Sequence, residues 1–150
     1  MTGTPGDAQD RTAALRALDE QVAAINAHDA ARLSAAYAED AVVRDPQYPE
    51  PLRGRSAVED DAAAFFTAFP DLRAEVTSSV VSGTELAVEM TMEGTHTGPM
   101  ASPSGEVAPT GRSLRFAMAF FDTVDENGMV IDERRYYDLA DQLTQLGLSG

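Results

Sequence analysis

The sequence contains no lysine and no cysteine. Its 11 basic residues are all arginines, set against 25 acidic ones, for a net charge of −14. Without lysine there is no Schiff-base nucleophile, no pyridoxal-phosphate anchor and no phosphate-loop lysine. Without cysteine there is no thiolate nucleophile, no disulfide and no cysteine-ligated zinc. The acidic excess repels phosphate backbones, which argues against nucleic acid as a partner. Histidine is scarce too: His28 and His96 are far apart in the chain and form no His-x-x-x-His pair, so no metal site is expected. No run approaches the ~20 apolar residues that span a bilayer. Met1 to Asp10 lacks the basic-then-apolar signature of a secretion signal. These features point to a cytoplasmic protein with no membrane partner. Gly-x-Ser-x-Gly is absent, and no glycine-rich dinucleotide fingerprint follows a strand. Asp125–Gly128 fails as a calcium loop, because Arg134 stands where the bidentate glutamate belongs. What remains is cofactor-free acid–base work by Asp, His and Tyr, or no catalysis.

The 150 residues, 43% hydrophobic and 24% charged, suit one globular domain. Residues 1–8 read as a disordered tail broken by Pro5 and Gly6, and 9–150 as a single domain. Leu15, Leu18, Val22 and Ile25 recur at helical spacing and predict a helix over 9–27. Asp29 can cap a second helix carrying Leu33 and Tyr37. A short extended run, Ala41 to Arg44, stops at Asp45-Pro46, and 46–55 is proline-rich loop. Ser56 with Glu59 is a capping-box signal for a third helix, whose apolar face holds Phe65, Phe66 and Phe69. After Pro70 the period becomes two. Strands are expected from Leu72, over Leu86–Glu93, over Leu114–Phe121 (apolar on both faces, hence covered on both) and over Met129–Tyr137. Residues 98–111 read as a long loop or lid, and Asn127-Gly128 as a type I′ hairpin turn. Helices grouped before a strand meander mean α+β. A curved sheet crossed by helices leaves a pocket at its open end.

Several side chains could carry chemistry there. His28, at the end of the first helix, reads as structural. His96 continues the parity of Leu86, Val88, Met90 and Met92, so its imidazole points inward. It is either a satisfied core group or a pocket-edge acid–base. In the last strand Asp132, Arg134, Tyr136 and Asp138 share one face, and Ile131, Glu133, Arg135 and Tyr137 the other. If Asp138 faces an apolar pocket, desolvation fits it for proton transfer; otherwise it pairs with an arginine or caps the tail helix. Asp45, before Pro46, is a third candidate or a plain turn aspartate. Tyr37, Tyr48, Tyr136 and Tyr137 could donate hydrogen bonds into the pocket, although most tyrosines simply pack. Phe65, Phe69, Met92, Phe116 and Met118 are its expected walls.

Asn26-Ala27-His28-Asp29, Tyr37 to Val42, Asp45-Pro46 and Gly54 to Val58 resemble the NTF2-like superfamily. Phe65 to Leu72, Gly94-Thr95-His96-Thr97-Gly98, Pro109 to Arg112, and Asp138 with Gln145-Leu146-Gly147 resemble its SnoaL-like polyketide cyclase branch. The similarity runs over about residues 9–148. It implies an α+β, cone-shaped barrel, in which a curved antiparallel sheet and three N-terminal helices enclose a pocket, often as a homodimer. It also implies intramolecular aldol-type ring closure of a hydrophobic polyketide-like or polycyclic carbonyl compound, with neither metal nor cofactor. By position Asp138 matches the branch's acid–base and His96 a pocket histidine, with Arg134 and Tyr136 orienting Asp138 or the substrate. Arg134 departs from the tryptophan of many relatives. Two related enzyme types compete. Asp45 matches the base of ketosteroid isomerases, but Gln21 and Phe120 stand where their oxyanion donors belong. Arg135 to Asp138 is similar to limonene-epoxide-hydrolase-like proteins, which need an Asp-Arg-Asp relay, and the Leu114–Phe121 strand offers no Arg-x-Asp for it. A ligand-binding module without catalysis is the remaining reading; converging ionisable groups in the pocket would favour catalysis over it.

Overall fold

A computed structural model describes residues 5–102 and 104–148. The elements run α1 (Pro5–Asn26), α2 (Ala30–Ser34), β1 (Tyr37–Arg44), β2 (Leu52–Arg53), α3 (Arg55–Ala68), β3 (Arg73–Ser82), β4 (Glu85–Thr95), β5 (Met100–Ser102), β6 (Gly105–Val107), β7 (Ser113–Val124), β8 (Val130–Tyr136) and α4 (Leu139–Gln145). Residues 1–4 of the expected tail lie outside the described residues, and 5–8 belong to α1. Proline is tolerated in a first helical turn, where its missing N–H has no partner to lose.

The buried stripe of α1 is Ala14, Ala17, Leu18, Gln21 and Ala24, with Leu15, Val22 and Ile25 only half-buried. Alanines let the helix approach the sheet closely and carry Gln21 inside with them. The helix ends as a Schellman motif: Asp29 N–H reaches Ala24 O, His28 N–H reaches Ile25 O, and His28 adopts φ +54°. His28 Nε2 also lies 2.6 Å from Leu72 O, so the residue is structural, as expected. Asp29 caps α2, accepting from Arg32 N–H. Tyr37 does not extend that helix; it opens β1. The Ser56 capping box is unused, because α3 begins at Arg55 with Gly54 as its N-cap at φ +90°. Gly54 N–H is taken by Ala41 O of β1, which sets where the helix starts.

Six strands form one sheet in the order β2-β1-β8-β7-β4-β3. All neighbours are antiparallel except β1 and β8, which run parallel, so the sheet is not purely antiparallel. A register shift at Val76/Ser78 in β3 adds curvature. β1 and β2 lie between α2 and α3, so the three helices are interrupted by strands. The concave face buries Leu86, Val88, Met90 and Met92 of β4 and Leu114, Phe116, Met118 and Phe120 of β7. The other face of β7 is open, with Arg115, Ala117 and Phe121 exposed. The expectation of a strand covered on both sides therefore fails: among the described residues this face is left open.

The 98–111 segment is tethered rather than free. It carries the β5–β6 hairpin, and Gly98 N–H bonds Ala68 O. A Cβ at Gly98 would stand 1.8 Å from Thr67 O, so only glycine permits this approach to α3. The β7–β8 turn also departs from type I′. Asn127 is not among the positive-φ residues; Gly128 is, at φ +78°. Gly128 N–H bonds Asp125 O, and the Asp125 carboxylate accepts from Asn127 and Met129 N–H, a type I turn closed by a left-handed glycine.

Candidate active site

The helices and the concave sheet enclose a cavity of about 100 Å³. Tyr37, Asp45, Phe65, Met92, Phe116 and Met118 line it, as the sequence suggested. Phe69 is buried beneath the lining, against Phe65 and His96 at ring separations of 5.1 and 5.4 Å.

Which face of β8 points inward decides the chemistry. Val130 is buried, yet the next buried side chain is Glu133, not Asp132. The β7–β8 register shifts between Thr123 and Val124, where the partners jump from Asp132 to Val130. That irregularity reverses the alternation. Glu133, Arg135 and Tyr137 therefore line the cavity, and Arg134 and Tyr136 lie on the outer face. There Arg134 sits 5.4 Å from the Phe121 ring, and Tyr136 meets the same ring edge-on. Asp138, outside the strand and exposed, caps α4 by accepting from Asp141 N–H. The premise of a dehydrated Asp138 does not hold; the capping alternative does.

His96 is fully buried but does not line the cavity. Its Nδ1 accepts from Thr110 N–H at 3.2 Å, which leaves the proton on Nε2, and Nε2 has no partner. Burial pushes the imidazole below its ordinary range, against a smaller pull from the Gly98 backbone. It is a neutral core group that pins the 96–112 segment.

In place of Asp138 and His96, the cavity holds a connected cluster. Parallel pairing sets Arg44 opposite Arg134, so Asp45, one residue on, falls beside Arg135. Arg135 Nη1 donates to Asp45 Oδ2 at 3.0 Å and to Asp61 Oδ2 at 2.9 Å, and Nε donates to Glu133 Oε2 at 2.7 Å. Tyrosines donate to each carboxylate: Tyr137 to Asp45, Tyr48 to Asp61 at 2.6 Å, Tyr37 to Glu133 at 2.8 Å. The Asp45 side chain is only 6% exposed and that of Arg135 12%. Burial opposes the guanidinium charge, but Glu133, Tyr37, Asp61 and Asp45 outweigh it and hold Arg135 well above its ordinary range. Burial, then the carboxylates they bond, raise Tyr48 and Tyr137; burial, then the Glu133 charge, raises Tyr37. All three stay neutral donors. Among the described residues no His, Asp and Glu cluster is arranged to hold a metal ion.

Behind this cluster lies Asp122, 2% exposed and directly opposite Glu133 across the ladder. Gln21 Nε2 donates to its Oδ2 at 3.0 Å, and Oδ1 has no partner. Burial, then the Glu133 charge, raises the Asp122 carboxyl well above its ordinary value. A raised folded value stabilises the protein fully below the unfolded value, and that stabilisation is lost as pH rises through the folded value. Asp122→Asn copies the neutral form. It should flatten the decline in stability as pH rises above the unfolded carboxyl value near 4, read by urea unfolding at several pH values. An unchanged slope would show that Asp122 is not the buried acid.

Tyr137 was among the tyrosines expected to donate into the pocket, whereas Glu133, Arg135 and Asp61 were not singled out as site residues. For Asp61 one signal exists: it precedes Phe65 by one helical turn, so both share a face of α3.

The profile of the SnoaL-like polyketide cyclase family matches residues 13–146. No curated protein matches the chain by sequence. Among solved structures, IdmH from Streptomyces antibioticus, a candidate polyketide cyclase, is 26% identical with a TM-score of 0.71, over 89% of this chain and 97% of that one. A candidate SnoaL-like polyketide cyclase from Jannaschia sp. CCS1 is 20% identical with a TM-score of 0.77, over 97% and 96%. A limonene-epoxide-hydrolase-like epoxide hydrolase from M. tuberculosis is 18% identical with a TM-score of 0.68, over 91% and 90%. The last two show the shared cone fold. With a profile match over nearly its whole length, this chain belongs to the SnoaL-like polyketide cyclase family.

Proposed function

We propose that the protein is a cofactor-independent acid–base enzyme that closes or rearranges a ring in a hydrophobic carbonyl compound. The observation that carries this reading is Asp45, a carboxylate fixed by Tyr137 and Arg135 on the polar side of a cavity whose other wall is apolar. Asp45 would take a proton from the carbon next to a substrate carbonyl. Arg135 Nη2 has no partner among the described residues, and it would hold the enolate oxygen. The enolate carbon then bonds to a second carbonyl carbon of the same molecule. The new alkoxide recovers the proton from Asp45, so atoms balance without a cofactor. The test uses tetralone, a flat ketone, in deuterated water. Wild-type protein should exchange its α-protons faster than buffer; no acceleration would sink the reading.

The Asp45–Arg135–Asp61 bridge favours a second reading, epoxide opening by water held between two carboxylates. The sequence offered no Arg-x-Asp on β7; here the bridge draws on β8, the end of β1 and α3. Solvent oxygen entering the product would mark this chemistry, since ring closure adds none.

We also propose a homodimer built on the outer sheet face, where Phe121, Ile131 and Tyr136 are exposed. Tyr136→Glu should shift sedimentation from dimer to monomer. A wild-type monomer at micromolar concentration would refute this.

A further inference from the structure

We infer that the cavity takes a cationic, amine-bearing apolar compound and turns away carboxylate-bearing ones, an inference that rests on the same cavity as the reading above. Asp45, Asp61 and Glu133 each accept from a tyrosine hydroxyl and from Arg135. Three carboxylates face one guanidinium, a formal excess of two negative charges at the cavity wall.

A second observation is independent of that charge count. Gln21 lines the same cavity, is 2% exposed, and its Oε1 has no donor among the described residues. Its Nε2 is held by Asp122 Oδ2 at 3.0 Å, Tyr37 Oη at 3.3 Å and Glu133 Oε1 at 3.4 Å, and turning the amide round would take that donor from the Glu133 carboxylate. Around Arg135 and Gln21 the lining is thus rich in acceptors. A primary ammonium brings three donors and a positive charge. The rings of Phe65, Phe116 and Tyr137 add faces that attract a cation. A carboxylate would bring only acceptors and a like charge. The free Nη2 of Arg135 remains for a carbonyl, so the compound this site fits carries a carbonyl and a basic amine on a flat apolar frame.

Three probes with one ring system separate the possibilities: naphthylmethylamine, naphthalenemethanol and naphthoic acid. In calorimetry at neutral pH and low salt, the amine should bind at least ~10-fold tighter than the alcohol, and the acid at least ~10-fold weaker. Asp61→Asn should shrink the amine's advantage, which separates the cavity from general attraction to an acidic surface. An alcohol as tight as the amine, an acid as tight as the alcohol, or an amine advantage untouched by Asp61→Asn overturns the charge inference and leaves the acid–base reading standing. If none of the three binds, the cavity is not a ligand site and both fall.

Discussion

Asp45→Asn should lower turnover by about 10²–10⁴-fold while the protein folds as before. Asparagine keeps the shape of the side chain and can still meet Tyr137 and Arg135, but it cannot accept a proton at neutral pH. The loss should fall on kcat, because the carboxylate acts on the reacting carbon rather than on the rest of the ligand. Asp138→Asn is the matched comparison. Asparagine also caps helices well, so that variant should retain both stability and turnover, in keeping with the exposed capping role of Asp138. Steady-state kinetics of the two variants on one ketone substrate decides between them. Loss in Asp138→Asn with a normal Asp45→Asn would return the chemistry to the C-terminal aspartate.

Arg135→Met is expected to be the most destabilising single change, by about 3–5 kcal/mol. Methionine fills similar volume but leaves Asp45, Asp61 and Glu133 without the one cation they share. Their desolvation is then unopposed, and each carboxyl is pushed toward its protonated form. The sign of the pH effect follows. With folded values raised, stability should recover as pH falls toward the unfolded carboxyl values near 4 and decline as pH rises. Urea unfolding of variant and wild type at neutral and acidic pH reads the difference. A variant within about 1 kcal/mol of wild type at neutral pH would mean that the cluster is not an interdependent ionic unit.

The fold was legible because its signals are local and repeated. Alternation in β4, the apolar run of β7, the Asp29 cap and the bulky face of α3 each specify an element without reference to the others. The family motifs agreed with that order. Part of the cavity wall followed from parity alone, as with Met92, Phe116 and Met118. The polar side was hidden for a different reason. In β8 both faces carry ionisable side chains, so hydrophobic patterning has no purchase on orientation. A single register irregularity then reverses the parity that Val130 sets. Irregularities of this kind depend on pairing with another strand and leave no mark on one strand's own sequence. Asp45 was visible as a residue, but its partners Arg135, Asp61 and Tyr137 are brought to it by a parallel β1–β8 pairing that only the tertiary structure reveals. Likewise Gln21 reaches the cavity because the buried stripe of α1 runs through Ala14, Ala17, Leu18 and Ala24 rather than through Leu15, Val22 and Ile25.

The most direct measurement is a crystal structure with a tightly bound hydrophobic ketone. The carbonyl oxygen should lie within hydrogen-bond distance of Arg135 Nη2, with its α-carbon against the Asp45 carboxylate. A ketone seated on the outer sheet face, or one whose carbonyl turns away from Arg135 toward solvent, would contradict the assignment of this cluster as the reacting centre.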